Sequence, residues 1–352
     1  MPELPSAVEA EQADSLRPRR RRPTGVRGGL LVIGWLIVAG LGLLALLRLV
    51  AWDAAEPLMV LNANYLVIYL PAWAVAAVAL ITRRWWLGAA ALVIVAAQVL
   101  FALPELTAAS PVPAWAKDAA TVRVFDANLD SGWALYPGYL QAIKQDNPDL
   151  ITFEEFSGGG PSGGALQTMK DSGLLTRYRY YCSEPDFGAT GFMLASRLRL
   201  TGCQFKTVQW DGQGIYYLVE ATLWSPSGPI PVRMFHNLAP LPSSWTESRS
   251  ALAAADRMVR ATGPAHMLLV GDFNSSWGNR GFVKLLGDGL TDGAGARGQA
   301  LDMTWPNGAV VPPFVRIDHV LTGSDLAVTK ISAHQGFGSD HKYLEATVAI
   351  RR

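Results

Sequence analysis

Leu268-Leu269-Val270-Gly271-Asp272-Phe273-Asn274 is the stretch on which the reading of this chain turns. An apolar run ends on a glycine, then presents a carboxylate and an amide on either side of Phe273. A buried strand of this kind stops where its sheet ends, and in α/β folds that is where sites are built. Alternation puts Asp272 and Asn274 on one side and turns Phe273 into apolar packing on the other. Gly, Asp and Asn also make ordinary turns, so the stretch gains its weight from segments elsewhere that are built alike.

Five such segments exist. They are Val122-Arg123-Val124-Phe125-Asp126-Ala127-Asn128, Pro148-Asp149-Leu150-Ile151-Thr152-Phe153-Glu154-Glu155, Val232-Arg233-Met234-Phe235-His236-Asn237, Arg316-Ile317-Asp318-His319-Val320 and Gly338-Ser339-Asp340-His341. Six apolar runs ending on Asn, Asp, Glu or His describe a polar cleft across the ends of a β core. Attack of water on a phosphate ester needs such a set. A hard divalent cation takes oxygen ligands, a base accepts the proton of the water, and amide and imidazolium donors meet the phosphoryl charge. A carboxylate behind a histidine fixes its tautomer and favours its protonated form.

Around these segments, 121–352 reads as short strands between Gly/Pro/Asn turns, at 121–128, 149–154, 177–182, 190–196, 202–209, 214–224, 230–236, 266–271, 315–321, 327–333 and 344–350. Helical periodicity marks 134–147, 164–172, 245–262 and 279–287. Two packed sheets with helices outside are expected. The Gly-rich stretch 157–164 lacks a Walker lysine and reads as a mobile loop, not a phosphate cradle.

The first third has a different character. Residues 1–116 hold nine Arg, no Lys and seven acidic residues, whereas 117–352 hold 21 basic and 22 acidic residues, a net of −1. A near-neutral domain does not suggest tight, sequence-blind binding to a nucleic-acid backbone. Residues 1–27, with Arg17, Arg19, Arg20, Arg21, Arg22 and Arg27, read as a disordered basic tail. Uncharged runs at 28–47, 57–82 and 85–104 are each long enough to cross a bilayer, giving three spans over 28–106. The basic tail and Arg83-Arg84 face loop 51–57 with Asp53 and Glu56, so the positive-inside rule keeps tail and arginines cytoplasmic. An odd number of spans places a linker at 107–120 and the domain at 121–352 outside the cytoplasm. Trp85, Trp86 and Trp115 suit interfacial anchoring.

In the order of its motifs, the soluble part resembles the endonuclease/exonuclease/phosphatase superfamily, the deoxyribonuclease-I-like fold. The matching elements are the strand ending in Asn128, the 148–155 segment, His236 followed by Ala239-Pro240, and Gly271-Asp272-Phe273-Asn274. Thr304-Trp305-Pro306 before Arg316-Ile317-Asp318-His319, a terminal Ser339-Asp340-His341, and 191–197 complete them. The resemblance implies a four-layer α/β/β/α sandwich and Mg²⁺-dependent phosphoester hydrolysis, with Mn²⁺ a possible substitute. It makes Glu155 the metal ligand with Asn128 beside it, and Asp340 a further metal-side carboxylate. Asp272 would deprotonate the water, Asn274 would hold the phosphate, and His236 would contact it. His341, oriented by Asp318, would donate to the scissile phosphate. Glu154 departs from the usual glutamine and is expected in a packing or supporting role, since neighbours on a strand face opposite ways.

The implied substrate is a phosphoester, on nucleic acid or on a phospholipid headgroup at the bilayer; a silent phosphate-binding module is the non-enzymatic alternative. No protein partner is legible. His266 and His334 read as surface histidines and His319 as structural; Trp210, Trp224, Trp245 and Trp277 read as packing residues, and Arg249 is unassigned. Cys182 and Cys203, the only cysteines, end and begin strands flanking a third, and in an oxidising compartment the reading favours a disulfide between them.

Overall fold

The computed structural model describes residues 25–159, 164–186, 188–210 and 213–351. The expected tail therefore lies outside the described residues up to position 24, as do positions 160–163 of the Gly-rich stretch. The apolar region forms α1 (Gly25–Val50), α2 (Glu56–Ala63), α3 (Tyr65–Ile68), α4 (Leu70–Ile81) and α5 (Trp85–Leu106). Helices α1 and α5 are each long and apolar enough to cross a membrane. The run 57–82 is not one straight rod: its helices bend by 79° at the break after Ala63. Asn64 returns its side-chain amide to Val60 O at 2.8 Å. Gln98, from α5, donates to Leu66 O at 2.7 Å, satisfying a carbonyl near the break. Pro71, at the start of α4, has no N–H to give a continuing helix.

The rest folds into strands β1 (Ala120–Asn128), β2 (Leu150–Glu154), β3 (Tyr180–Glu184), β4 (Phe192–Ser196), β5 (Leu200–Trp210) and β6 (Gln213–Ser225). They continue as β7 (Gly228–Phe235), β8 (Leu268–Asp272), β9 (Thr291–Asp292), β10 (Asp318–Thr322), β11 (Leu326–His334) and β12 (Tyr343–Ile350). Two six-stranded mixed sheets result, ordered β11-β12-β1-β2-β4-β3 and β5-β6-β7-β8-β10-β9. All eleven expected strands and all four expected helices form. The helices are α6 (Tyr136–Asp146), α7 (Ala165–Asp171), α9 (Trp245–Thr262) and α10 (Arg280–Gly287); α8 (Leu174–Arg177), α11 (Gly293–Ala296) and β9 are too short to leave a periodic signal.

Side-chain parity builds the layers. Val122, Val124, Leu150, Val232, Met234, Leu268, Val270 and Val320 fill the space between the sheets. Their odd neighbours face outward: Phe125, Ile151 and Phe153 pack under α6–α8, and Phe235, Leu269 and Phe273 pack under α9 and α10. Cys182 on β3 and Cys203 on β5 are bonded, with Cα atoms 6.3 Å apart, joining the edge strands of the two sheets. Segment 107–119 is not a free linker. Ser110 N donates to Ala296 O, Arg297 donates back to Ser110 O, and Trp115 lies 6.0 Å from the Arg351 guanidinium.

The apolar helices dock on the loop that follows β8. Arg48 and the Trp52 indole donate to Gly278 O at 2.6 and 2.7 Å. Asp53 accepts from Arg280 N at 2.6 Å, and Ser276 Oγ donates to Ala63 O at 2.7 Å. Glu105 of α5 pairs with buried Arg316 at 2.8 Å, and Arg316 reaches Asp292 at 2.8 Å. These contacts sit just beyond Asp272 and just before Asp318 in the chain.

A candidate phosphoester-hydrolase site between the sheets

The parity that fills the core also builds the site. Continuing the even positions toward one end of the sandwich replaces valine and leucine by Asp126 and Asn128 on β1, Thr152 and Glu154 on β2, His236 after β7, Asp272 on β8 and Asp318 on β10. Register sets them together: Asn128 lies beside Glu154 across a parallel pair, and Asp318 opposite Asp272 across an antiparallel one. All of these polar groups are buried.

Two local devices aim the polar groups. Glu155 (φ 51°) and Asn274 (φ 45°) adopt left-handed conformations right after their strands, as do Asp130 (φ 47°) and Ser131 (φ 50°). Such conformations are uncommon for residues with a Cβ and cluster at functional sites. The turn at Glu155 lets two adjacent glutamates serve different places: Glu154 stays between the sheets while Glu155 swings to the cleft. Gly271, at φ 134°, passes so close to β7 that a Cβ would lie 2.1 Å from Phe235 O. Only glycine fits there, and that approach brings Asp272 up to His236.

Asp272 is the hub. Its carboxylate accepts from Asn128 Nδ2 at 3.0 Å, Asn274 N at 2.7 Å and Asn274 Nδ2 at 3.2 Å. His341 Nε2 lies 3.8 Å away and His236 Nε2 3.6 Å away. Asn128 Nδ2 also donates to Glu155 Oε1 at 3.0 Å, and Ser131 Oγ donates to Glu155 Oε2 at 2.7 Å. His341 Nδ1 sits 3.1 Å from both oxygens of Asp318, which fixes that nitrogen as the donor and leaves Nε2 facing the cleft. Asp340, half exposed, accepts from the Trp305 indole at 2.9 Å and lies 3.8 Å from His341 Nε2. All eight expected site residues thus converge on one cleft.

Burial pushes the Asp272 carboxyl well above its ordinary value, with His341 opposing and Asp318 reinforcing. Burial alone would lower His341, but the Asp318 and Asp272 charges raise it well above 6.5. Burial lowers His236, against the pull of Glu155.

Sequence reasoning passed over Asp126, Thr152, Asp130 and Ser131 as site members. Asp126 and Thr152 share parity with Asn128 and Glu154, which was a usable signal; Asp130 and Ser131 lie on a turn with no periodicity. Thr152 Oγ1 donates to Asp126 Oδ1 at 2.6 Å. Neither Glu154 oxygen receives a donor from the protein, so a proton shared with facing Asp126 is what makes the pair tenable. Burial raises Glu154 well above its usual range and Asp126 to about 7. Asp130, at the rim, is raised to about 6 by burial, then Asp340 and Glu155. His319 turns to the outer face and meets Ser275 O at 3.1 Å, while His266 and His334 remain partly exposed.

A profile of the endonuclease/exonuclease/phosphatase family matches residues 136–341, more than half of the chain. The chain belongs to this family. No curated protein sequence matches it. Among solved structures, a family member from Beutenbergia cavernae DSM 12333 shares 18% identity and a TM-score of 0.51, over 66% of this chain and 72% of that one. TDP2 from D. rerio, solved with a single-strand DNA product, shares 15% identity and a TM-score of 0.52, over 65% and 98%. The 3′ phosphatase NExo from Neisseria, bound to a product DNA hairpin, shares 18% identity and a TM-score of 0.50, over 64% and 98%. At these identities the shared property is the fold.

The donor set fits a hard divalent cation. Asp272, Asp318, Glu155, Asp340 and Asp130 converge against only two histidines, leaving excess negative charge and oxygen ligands of the type such ions take. Asp272, Asp318 and His341 each bring a ligand-type atom within 4.8 Å of the others. Asn128 turns its Nδ2 toward Glu155 and Asp272, and its Oδ1 accepts from Asp130 N at 2.9 Å.

Proposed function

We propose that this protein is a Mg²⁺-dependent phosphoester hydrolase, anchored in a membrane by its apolar helices with the domain on the outer side. The observation that carries the reading is the meeting of Asp272 with the His341–Asp318 pair inside an acid-rich cleft. A cation held by Glu155, Asn128 and Asp340, magnesium or in its place manganese, would neutralise phosphoryl charge. Asp272, with its raised proton affinity, takes the proton of the attacking water. His341, kept protonated by Asp318, donates from Nε2 to the phosphate. Asn274 spends its amide on Asp272 and Asn237 O at 2.8 Å, so it orients the base and exchanges that bond for a phosphoryl oxygen on substrate binding. His236, buried and neutral, contacts the phosphate beside Glu155.

The arginine asymmetry supports this orientation. The Cys182–Cys203 bond fits an oxidising compartment. Two structurally similar proteins hold DNA, which makes nucleic acid the first soluble substrate to try. The test is release of p-nitrophenol from bis(p-nitrophenyl) phosphate by the full chain, with and without Mg²⁺. Metal-stimulated release is expected; none in either condition would leave a phosphate-binding module.

A further inference from the structure

Beyond the apolar helices, five of the eight exposed large apolar side chains among the described residues lie on loops at the cleft end. Trp133 (62% exposed) and Leu135 (59%) lie on the loop after β1, Leu241 (56%) after β7, and Val310 (105%) and Val311 (51%) on the loop before β10. All three loops leave the sandwich at the end where Asn128, His236 and Asp318 sit. Leu135 N donates to Phe337 O, and the Trp305 indole to Asp340, which ties the first and third loops to the His341 segment. The loops 129–137, 237–244, 303–315 and 335–340 contain no lysine or arginine. The apolar helices dock at this same end, on 276–280 and Arg316.

We infer that the mouth of the cleft rests on the lipid headgroup layer through these side chains, and that the site draws its phosphoester from a lipid. The inference rests on the hydrolase reading and on the apolar helices spanning a bilayer. A groove for nucleic acid needs cations to meet the backbone phosphates, and these four loops carry none. Exposed Trp, Leu and Val on an uncharged rim suit the boundary between headgroups and acyl chains, and tryptophan favours that depth. A protein partner is the weaker occupant: where the bundle spans, the bilayer is already there beside the loops.

The native cysteines are bonded to each other, so a single introduced cysteine labels one place. The full chain is reconstituted in vesicles of phosphatidylethanolamine and phosphatidylglycerol, with an environment-sensitive fluorophore at Val310→Cys or, at the far end of α9, Ala261→Cys. The Val310 label is expected to shift to the blue and resist iodide quenching, and the Ala261 label to stay accessible. Equal quenching at both overturns the seating. In a second arm, wild type with Mg²⁺ is given the vesicle lipids, a single-stranded DNA and bis(p-nitrophenyl) phosphate. Release of water-soluble phosphate from lipid, exceeding DNA cleavage, is expected. The Trp133→Ser/Val310→Ser variant should lose roughly tenfold on lipid, as removal of inserted apolar surface would, and keep its rate on the soluble diester. Equal loss on both substrates would overturn a seating role. Hydrolysis of the soluble diester without lipid release, whether or not DNA is cut, overturns the substrate assignment. Failure on the soluble diester removes the hydrolase reading itself.

Discussion

Two regions of this molecule bury several charges, and they do so in opposite ways. At the junction between the apolar helices and the domain, each charge faces a partner. Arg316 lies between Glu105 and Asp292, each at 2.8 Å, and Asp292 also receives the Trp277 indole at 2.9 Å. Burial would raise Asp292, but Arg316 and His319 win and lower it. In the cleft, Asp126, Glu154, Asp272 and Asp318 crowd together with His341 as the one strong counter-charge. Paired buried charges hold a structure in one arrangement; an unbalanced set is a standing cost, retained where chemistry uses it.

The contrast predicts that cleft and junction variants fail differently. The largest effect is expected from Asp272→Asn, which should cut turnover of bis(p-nitrophenyl) phosphate by about 10²–10⁴-fold while leaving Tm at or above wild type. An equal drop in Tm would make the cleft structural after all. Arg316→Met should do the reverse, costing about 3–5 kcal/mol of stability in a denaturation experiment, because Glu105 and Asp292 are left buried and uncompensated. Since Asp292 is lowered on folding, its contribution is present above its ordinary value of 3.8 and lost as pH falls through the folded value.

Smaller effects sharpen the picture inside the cleft. Asp318→Asn removes the largest influence raising His341, so the alkaline limb of the pH–rate profile should move to lower pH. An unmoved limb would assign it to another group. Glu155→Gln should raise the Mg²⁺ concentration for half-maximal activity, with little change in Tm. Glu154→Gln should change least: it removes the need for a shared proton with Asp126, so Tm should hold or rise and the metal titration should stay in place.

Much of the cleft was legible because strand alternation is local. Leu268–Asp272 announces by parity alone which side chains face the other sheet, and the same rule places Asn128, His236 and Asp318. Asp126 obeyed that rule and was overlooked in favour of its neighbour Asn128. The junction was not legible at all. Arg316 belongs to the Arg316-Ile317-Asp318-His319 segment, yet its partner Glu105 is 211 positions away, and no periodicity links a charge ending an apolar helix to one preceding a strand. The bend after Ala63 was hidden for a related reason: hydropathy sees an uncharged run, whereas the break is settled by the Asn64 and Gln98 side chains.

The disulfide has a mechanical consequence. In the second sheet, β5 forms one edge and β9 the other, and β7, β8 and β10 lie between them. The Cys182–Cys203 bond rivets the β5 edge to β3 of the opposite sheet. At the other edge, Asp292 and Arg316 are clamped to the end of α5. The strands that carry His236, Asp272 and Asp318 are thus supported on both flanks, like the middle of a beam held at its two ends. Arg316 thus joins the last apolar helix to the strand that begins at Asp318, while the riveted edge holds the two sheets together at their other flank.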